Sequence, residues 1–367
     1  MGTAARDAAV RTIVVPGLVS VVCLTVITTA CTMEVPDDLV QDVRTAAAEL
    51  AADAAKQDTS TVAGRDGWLF FAPELRHISV GRFWGDRAAE VTRARSADTA
   101  DPLPAILDFK QQLDALRVEL LLVPVPPKSI IYADRLPQDL LGIPGSLPRL
   151  DPAHAAFYET LRSLGIEVLD LTEPFLEGRS NSEGPVYCLQ DTHWSGVGCV
   201  LAAQHIARAV RAYPWHTAIA TTDFVIDWGS TTITGDLREG SDTPAMPREE
   251  LRLRRVSTND PTGGTEVPRD PTSPVVLLGD SHNLVFHAGG DMHSTGAGLP
   301  DQLAYELGYP IDLVAVRGSG ATAARVSLLR RAQRDPSYWT GKRLVVWCFS
   351  AREFTEGDGW ALVPVTP

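Results

Sequence analysis

Two short motifs in the sequence carry side chains that can do nucleophilic chemistry together. The segment Gly279–Ser281 follows the apolar run Val275–Leu278, and a serine at the carboxyl end of a buried strand can present its hydroxyl at the edge of a sheet. Upstream, Asp191 and His193 lie two residues apart, so in an extended segment their side chains point the same way. An aspartate that holds a histidine leaves the other ring nitrogen free to accept a serine proton. Ser281, His193 and Asp191 therefore have the types required for a Ser-His-Asp triad.

Each motif also has an interpretation that involves no catalysis. A Gly-Asp-Ser sequence after a strand is often a turn followed by a helix cap. An Asp–His pair is often a structural contact that satisfies two buried polar groups. The hypothesis of a triad therefore depends on whether the fold brings the two motifs together.

Apolar stretches alternate with amphipathic ones along most of the chain. Continuous apolar runs predict buried strands at Glu119–Val125, Ile166–Leu171, Val275–Leu278, Asp312–Val316 and Leu344–Cys348. Apolar residues at helical spacing predict helices over 103–117, 151–164, 196–212 and 321–334. Buried strands separated by helices indicate an α/β fold with a mostly parallel sheet covered on both faces. Residues 230–274 are rich in Thr, Pro, Gly and charge, and we interpret them as an excursion from a single domain.

The N-terminus has the composition of a targeting segment. Residues 12–30 are apolar and uncharged, and Arg6 and Arg11 precede them, which is the charge distribution of a signal peptide or a membrane anchor. We assign residues 1–31 to such a segment, which is then cleaved, lipidated at Cys31 or retained. Each of these outcomes places the rest of the chain outside the cytoplasm. A buried core helix is the alternative.

Between this segment and the motifs lies an Ala-rich polar stretch. Residues 37–57 contain few large apolar side chains and predict a solvated helix. We therefore expect a helical stalk or linker over 32–60, followed by the catalytic domain over 61–367.

Charge and cysteine content restrict the class of protein. Lys and Arg number 33 against 46 Asp and Glu, for a formal net charge of −13, which argues against a nucleic-acid partner. Hydrophobic residues make up 44% of the chain, enough for a sizeable core. Cys188, Cys199 and Cys348 allow at most one disulfide among them, and their spacing selects no pair.

Several motifs, taken in order, resemble the alginate O-acetyltransferase family. They are GWLF at 67–70, VPVPPKSIIY at 123–132, Asp-x-His-Trp at 191–194, Gly-Asp-Leu at 235–237, Gly-Asp-Ser at 279–281 and VVWCFSAREF at 345–354. The resemblance covers residues 61–356 and implies an SGNH-hydrolase-like fold, which is a three-layer α/β sandwich around a mostly parallel sheet. In that family the Asp–His pair precedes the nucleophilic serine, as it does here.

The resemblance implies a role for each residue of the triad. Ser281 is the expected nucleophile, His193 its base and Asp191 the carboxylate that orients the base. The implied function is an extracytoplasmic O-acetyltransferase that receives acetyl groups from a membrane-bound O-acyltransferase. It places them on hydroxyls of an exopolysaccharide, alginate-like or other, through an acetyl-serine intermediate. Neither a cofactor nor a metal is expected.

Three further residues are candidates for substrate binding. Gly318 lies in the segment Arg317–Gly320, which resembles the SGNH glycine block that supports the oxyanion, although a strand-end turn explains it equally well. Arg352 matches the arginine that follows a late strand in the family, with a surface ion pair as the alternative. Lys128 follows the predicted strand Glu119–Val125 and can meet an anionic sugar, or it is a solvated loop lysine.

Other functions share these features. A carbohydrate acetylesterase uses the same triad with water as the acceptor, and a polysaccharide-binding or scaffold protein needs no nucleophile. A metal centre is a further alternative, because His282, His287 and His293 lie close in sequence to Asp280 and Asp291. The Asp-x-His and Gly-Asp motifs faintly resemble a metallophosphoesterase, but no Gly-Asn-His follows them and the Asp-x-His lies in mid-chain.

Overall fold

The computed structural model describes residues 37–137, 147–238, 246–259 and 264–367. The predicted signal peptide or membrane anchor at 1–31 lies outside these ranges. Within them, no helix is both long enough and apolar enough to cross a membrane.

Five parallel strands form the central sheet. In chain order the strands of the described residues are β1 (Thr61–Ala63), β2 (Leu69–Phe71), β3 (Glu119–Val125), β4 (Glu167–Val168), β5 (Phe224–Ile233), β6 (Glu249–Thr258), β7 (Val275–Gly279), β8 (Asp312–Ala315) and β9 (Leu344–Ser350). The central sheet has the order β4-β3-β9-β7-β8, and every neighbouring pair in it is parallel. Each of the five predicted strands is present, although β4 is shorter than the predicted Ile166–Leu171.

Helices cover both faces of this sheet. They are α1 (Asp37–Lys56), α2 (Ala72–Ser79), α3 (Ala88–Val91), α4 (Pro102–Ala115), α5 (Lys128–Ile131), α6 (Pro152–Ser163), α7 (Thr172–Gly178), α8 (Gly196–Arg211), α9 (Leu299–Leu307), α10 (Thr322–Arg334) and α11 (Glu353–Glu356). Successive strand residues face opposite layers. Leu120 and Leu122 of β3 share a core with α4, α6 and α10, whereas Leu121 and Val123 share one with α7, α8 and α9. The predicted three-layer α/β architecture is thereby confirmed.

Helix α1 packs on the body of the domain. Its residues Val43, Ala47 and Ala54 are buried in the same core as Leu75 of α2. Small alanine side chains allow two helices to approach closely, so a helix with few large apolar residues can still pack. The helix predicted over 37–57 is present, but it belongs to the compact unit that runs to the C-terminus. The domain therefore extends further toward the N-terminus than the boundary predicted at residue 61.

The segment interpreted as an irregular excursion contains part of an antiparallel ribbon. β5 and β6 pair along their full lengths, and Leu251, Leu253 and Val256 of β6 are buried against α8 and α9. Arg254 is buried and shifts the alternation of buried and exposed residues by one position, which conceals the strand pattern in the sequence. The ribbon matters for function because β5 leads into Asp236 and β6 begins at Glu249, two residues that contact the candidate site.

The cysteines of the domain are free thiols. Cys188, Cys199 and Cys348 are fully buried, and none of them forms a disulfide. Burial raises the pKa of each thiol, so these side chains act as small core residues instead of nucleophiles.

Gly279 ends β7 at a point where no side chain fits. A Cβ atom there would overlap the carbonyl oxygen of Cys348 in the neighbouring strand β9. We expect Gly279→Ala to lower the free energy of unfolding by about 3 kcal/mol, because two central strands must separate to admit the methyl group. Chemical denaturation measures the change. The control is Gly229→Ala in β5, where the Cβ position is open and the expected change is below about 1 kcal/mol; equal losses in both variants would contradict the packing argument.

Candidate active site

The nucleophile motif forms a tight turn at the carboxyl end of β7. Residues Ser281–Asn283 make a single 3₁₀ turn, which Asp280 caps by accepting a backbone N–H of the turn at 2.9 Å. The other oxygen of Asp280 accepts the N–H of Ser350, at the end of β9, at 2.7 Å. Asn283 donates to the carbonyl of Cys348 in the same strand at 2.8 Å. Two neighbouring strands therefore fix the turn that presents the serine.

The base lies on the loop between α7 and α8, which buried charges hold in place. The carboxylate of Glu249 accepts the backbone N–H groups of Leu189 at 2.7 Å and Gln190 at 3.0 Å. The ammonium of Lys128 donates to the carbonyls of Leu189 and Asp191, both at 3.0 Å. One anion and one cation therefore fix the backbone that carries the Asp–His pair.

The two motifs meet in a continuous hydrogen-bonded chain. His193 Nε2 lies 2.7 Å from Ser281 Oγ, and His193 Nδ1 lies 2.7 Å from Oδ1 of Asp191. The same carboxylate oxygen accepts the backbone N–H of His193 at 3.0 Å. The side chains are almost excluded from solvent, with exposures of 7% for Ser281, 5% for His193 and 1% for Asp191. Such a chain can remove the serine proton and stabilise the charge that forms on the imidazole.

The second oxygen of Asp191 is also fully engaged. It accepts the backbone N–H of Asp236 at 3.0 Å and is 2.8 Å from Nε2 of His293. The Asp236 carboxylate in turn accepts the N–H and hydroxyl of Thr192 at 2.7 and 2.6 Å. The sequence connects His293 only with a possible metal cluster, because its partner Asp191 lies 102 residues away and no local spacing indicates the contact.

Opposing effects set the proton affinity of the base. Burial lowers the pKa of His193, but the charge of Asp191 and its hydrogen bond outweigh burial and raise that pKa above 6.5. For Asp280, burial raises the pKa, yet the contact with His282 and the charge of Arg352 bring it below its ordinary value. The carboxylate that caps the turn is therefore ionised, and the raised pKa of His193 makes it a stronger base toward the serine proton.

A second histidine packs against the base without adding charge. The ring centroids of His282 and His193 lie 4.9 Å apart, and His282 Nδ1 lies 3.2 Å from Asp280. The indole of Trp194, fully buried, donates to the carbonyl of His282 at 3.0 Å. Burial lowers the pKa of His282, so a neutral ring lies beside the imidazolium that forms on His193.

The three predicted substrate-binding residues have different environments. Arg352 is partly exposed after β9, donates to Ser350 Oγ at 3.0 Å and lies over the ring of Phe71 at 5.3 Å. Its charge is close enough to lower the pKa of both Asp280 and His282. Arg352 therefore lies, partly exposed, beside the strand end that holds Asp280, and its role in substrate binding stays a prediction.

Lys128 does not lie where the sequence suggested. It is only 2% exposed, and its ammonium donates to the carbonyls of Leu69, Leu189 and Asp191. Because α5 begins at this residue and turns it inward, the lysine supports the base loop and does not meet solvent or a sugar.

In the glycine block Arg317–Gly320, the glycine that approaches the candidate site is not the predicted Gly318. Gly318 is exposed, has a φ of +80° and has open space at its Cβ position. Gly320 is buried instead, and a Cβ there would lie 3.2 Å from the backbone nitrogen of Asp280. The block does reach the nucleophile turn, but through Gly320.

The residues considered as an alternative metal centre have separate partners. The pairs are His282 with Asp280 at 3.2 Å, His287 with Asp301 at 3.0 Å, His293 with Asp191 at 2.8 Å, and Asp291 with Arg317 at 2.7 Å. Over the described ranges, the group whose potential ligand atoms lie within 4.8 Å of one another is Asp191, His193 and Asp236. These atoms already form the hydrogen bonds described above.

Comparisons with known proteins agree with the motifs. A family model described as the SGNH hydrolase-like domain of the acetyltransferase AlgX matches residues 61–351. A probable alginate O-acetylase AlgJ of Pseudomonas aeruginosa is 27% identical over 150 residues, which are 41% of this chain and 33% of that protein. The corresponding Pseudomonas putida protein is 25% identical over 238 residues, which are 62% and 55% of the two chains. The matched regions therefore span from a third to just over half of these relatives.

Two solved structures share the fold. The O-acetyltransferase domain of Pseudomonas putida AlgJ aligns with a TM-score of 0.58 and 23% identity, covering 81% of this chain and 92% of that one. Pseudomonas aeruginosa AlgX aligns with a TM-score of 0.56 and 18% identity, covering 80% and 62%. The SGNH-like α/β fold expected from the resemblance is confirmed.

Proposed function

Because the chain belongs to the family of SGNH hydrolase-like AlgX acetyltransferase domains, we propose that it is an extracytoplasmic O-acetyltransferase acting on hydroxyls of an exopolysaccharide. The observation that carries the proposal is the hydrogen-bonded chain from Ser281 through His193 to Asp191. The relatives named as probable alginate O-acetylases support a polysaccharide acceptor, alginate or another. The proposed acetyl donor is a membrane-bound O-acyltransferase, and the N-terminal segment would export the protein or hold it at the membrane.

In the first half-reaction an acetyl ester acylates the serine. His193 Nε2 takes the proton as Ser281 Oγ attacks the ester carbonyl, and Asp191 stabilises the imidazolium. The tetrahedral intermediate collapses, the imidazolium returns its proton to the departing alcohol oxygen, and acetyl-serine remains. In the nucleophile turn the N–H groups of His282 and Asn283 already donate to Asp280. The backbone N–H of Ser281, with the Gly320 backbone that packs against Asp280, is therefore the group that we expect to stabilise the oxyanion.

In the second half-reaction a sugar hydroxyl replaces the departed alcohol. It loses its proton to His193 and attacks the acetyl-serine carbonyl; collapse releases the O-acetyl sugar and returns the proton to Ser281. Water competes for the same intermediate, so a transferase must favour the sugar over water. Arg352, partly exposed beside the turn, is placed to contact the acceptor or donor.

The test is acetyl transfer from p-nitrophenyl acetate to an oligosaccharide, compared between wild type and Ser281→Ala. We expect the variant to lose at least about 1,000-fold in turnover, because the covalent route is closed. Intact-protein mass spectrometry should show one added acetyl group on the wild type and none on the variant. Circular dichroism checks that the variant stays folded, and Ser294→Ala, at a half-buried serine on a nearby loop, is the matched control.

The outcomes separate the candidate functions. Acetylated oligosaccharide establishes a transferase, whereas acetate release that added oligosaccharide does not change establishes an esterase. Wild-type turnover in a folded Ser281→Ala protein would overturn both and leave a non-catalytic polysaccharide-binding role.

A further inference from the structure

A second histidine contacts the carboxylate of the candidate triad. His293 Nε2 lies 2.8 Å from Oδ2 of Asp191, on the side of the carboxylate opposite His193. A carboxylate oxygen accepts, so the imidazole donates and its Nε2 carries a proton. Because Asp191 is 1% exposed, no bulk water replaces this donor if it is lost.

The backbone that carries His293 is itself unusual. His293 has a φ of +71°, a left-handed conformation that is uncommon for a residue other than glycine. The loop is closed by hydrogen bonds from Phe286 N to Met292 O and from Gly289 N to Ser294 O. An observed backbone strain of this kind persists only when the surrounding structure requires it, and such residues cluster at functional sites.

The other charged side chains near His293 and Asp191 form hydrogen bonds or ion pairs with other residues. Asp236 bonds to Thr192, Asp291 on the same loop pairs with Arg317, and Arg352 donates to Ser350. On the described loop, His293 is thus the side chain that joins the segment after the nucleophile turn to the triad carboxylate.

We propose that His293 is a positioning residue, whose Nε2–H is the side-chain donor that, together with the backbone N–H of Asp236, holds one oxygen of Asp191 so that the other stays directed at His193 Nδ1. The inference rests on the proposed function, since it assigns a role within that same triad. With both oxygens held, the carboxylate cannot rotate away from the base during the two proton transfers. By sharing the negative charge, His293 also keeps Asp191 from binding the imidazolium so strongly that the proton is not returned.

The test compares His293→Ala with His293→Gln, since the Gln amide can still donate to Asp191. We expect kcat to fall about 10- to 100-fold in the alanine variant, because the base loses its alignment. The acid limb of the kcat/KM profile should move to higher pH by about 0.5 unit, because an unshared carboxylate charge favours imidazolium. His293→Gln should restore most of both. His287→Ala is the matched control, because His287 lies in the same region but contacts Asp301, and its profile should not move.

NMR titration of ¹⁵N-histidine-labelled protein measures the pKa of His193 without turnover. A higher pKa in His293→Ala, restored in His293→Gln, supports the proposal; no shift, or the same shift in both variants, overturns it. If the alanine variant does not fold, His293→Met against His293→Gln gives the same contrast at similar length. If Ser281→Ala keeps wild-type turnover, the proposed function fails, and the NMR comparison still decides whether His293 acts on the Asp–His pair.

Discussion

Replacing Asp191 by asparagine is expected to lower kcat for acetyl transfer by about 10,000-fold while the protein stays folded. The carboxylate accepts from His193 Nδ1 at 2.7 Å and fixes the tautomer in which Nε2 is free to accept from Ser281. An amide has an N–H group to present to Nδ1, which favours the opposite tautomer, with the proton already on Nε2. The serine is then left without a base.

The same substitution should change the pH dependence in a defined direction. In the native protein, burial lowers the pKa of His193, and the charge of Asp191 raises it above 6.5. Because neutral His193 is the active form, wild-type kcat/KM should rise with pH through a midpoint above 6.5. Without the charge of Asp191, the largest remaining influence on His193 is burial, which lowers its pKa, so the residual activity of Asp191→Asn should have its acid limb at lower pH. This is opposite to the shift expected for His293→Ala.

Measuring kcat/KM against pH for the wild type, Asp191→Asn and His293→Ala tests both predicted shifts of the acid limb in one series. Asp291→Asn is the matched control, since this exposed carboxylate pairs with Arg317 and should leave kcat within about twofold. Retention of more than about a tenth of wild-type kcat in Asp191→Asn would show that the carboxylate does not orient the base.

Features encoded locally could be predicted from the sequence. The strands β3, β7 and β9 are continuous apolar runs because both of their faces are buried, and their bounds agree with prediction to within two residues. The position of Ser281 follows from the rule that functional loops lie at the carboxyl ends of parallel strands. The Asp191–His193 pair follows no strand of the central sheet, because it lies on the loop between α7 and α8, and only its residue types and spacing indicate it. The ribbon β5–β6 was not predicted because the buried Arg254 breaks the alternation of apolar and charged residues in β6.

The errors concern residues whose role depends on distant partners. Lys128 follows a strand, which suggested an exposed loop, yet its three acceptors come from segments about 60 residues away. His293 was missed for the same reason. Gly318 and Gly320 are equivalent in the sequence, and the proximity of Asp280 to Gly320 alone separates them. Tertiary hydrogen bonds leave no local pattern, so sequence spacing could not identify these contacts.

Lys128→Met is expected to lower the free energy of unfolding by about 3 kcal/mol or more. The ammonium donates to Leu69 O at 2.6 Å and to Leu189 O and Asp191 O at 3.0 Å, and methionine donates to none of them. Glu249 would also lose a nearby positive charge that lowers its pKa. Denaturant titration measures the loss, and Lys56→Met, at an exposed lysine of α1, should leave the free energy of unfolding nearly unchanged.

The loss of stability alone would not show that Lys128 supports the site, and a second buried lysine separates the two effects. Lys342 donates to Pro271 O at 2.6 Å, Ser273 O at 2.9 Å and Asp312 at 2.8 Å, away from the residues of the triad. Lys342→Met should therefore be destabilised by a similar amount, yet retain kcat under conditions where it is folded. Lys128→Met should lose about tenfold in kcat under the same conditions, because the Asp191 carbonyl is released and the base loop shifts. Equal kcat in the two folded variants would restrict Lys128 to a role in stability.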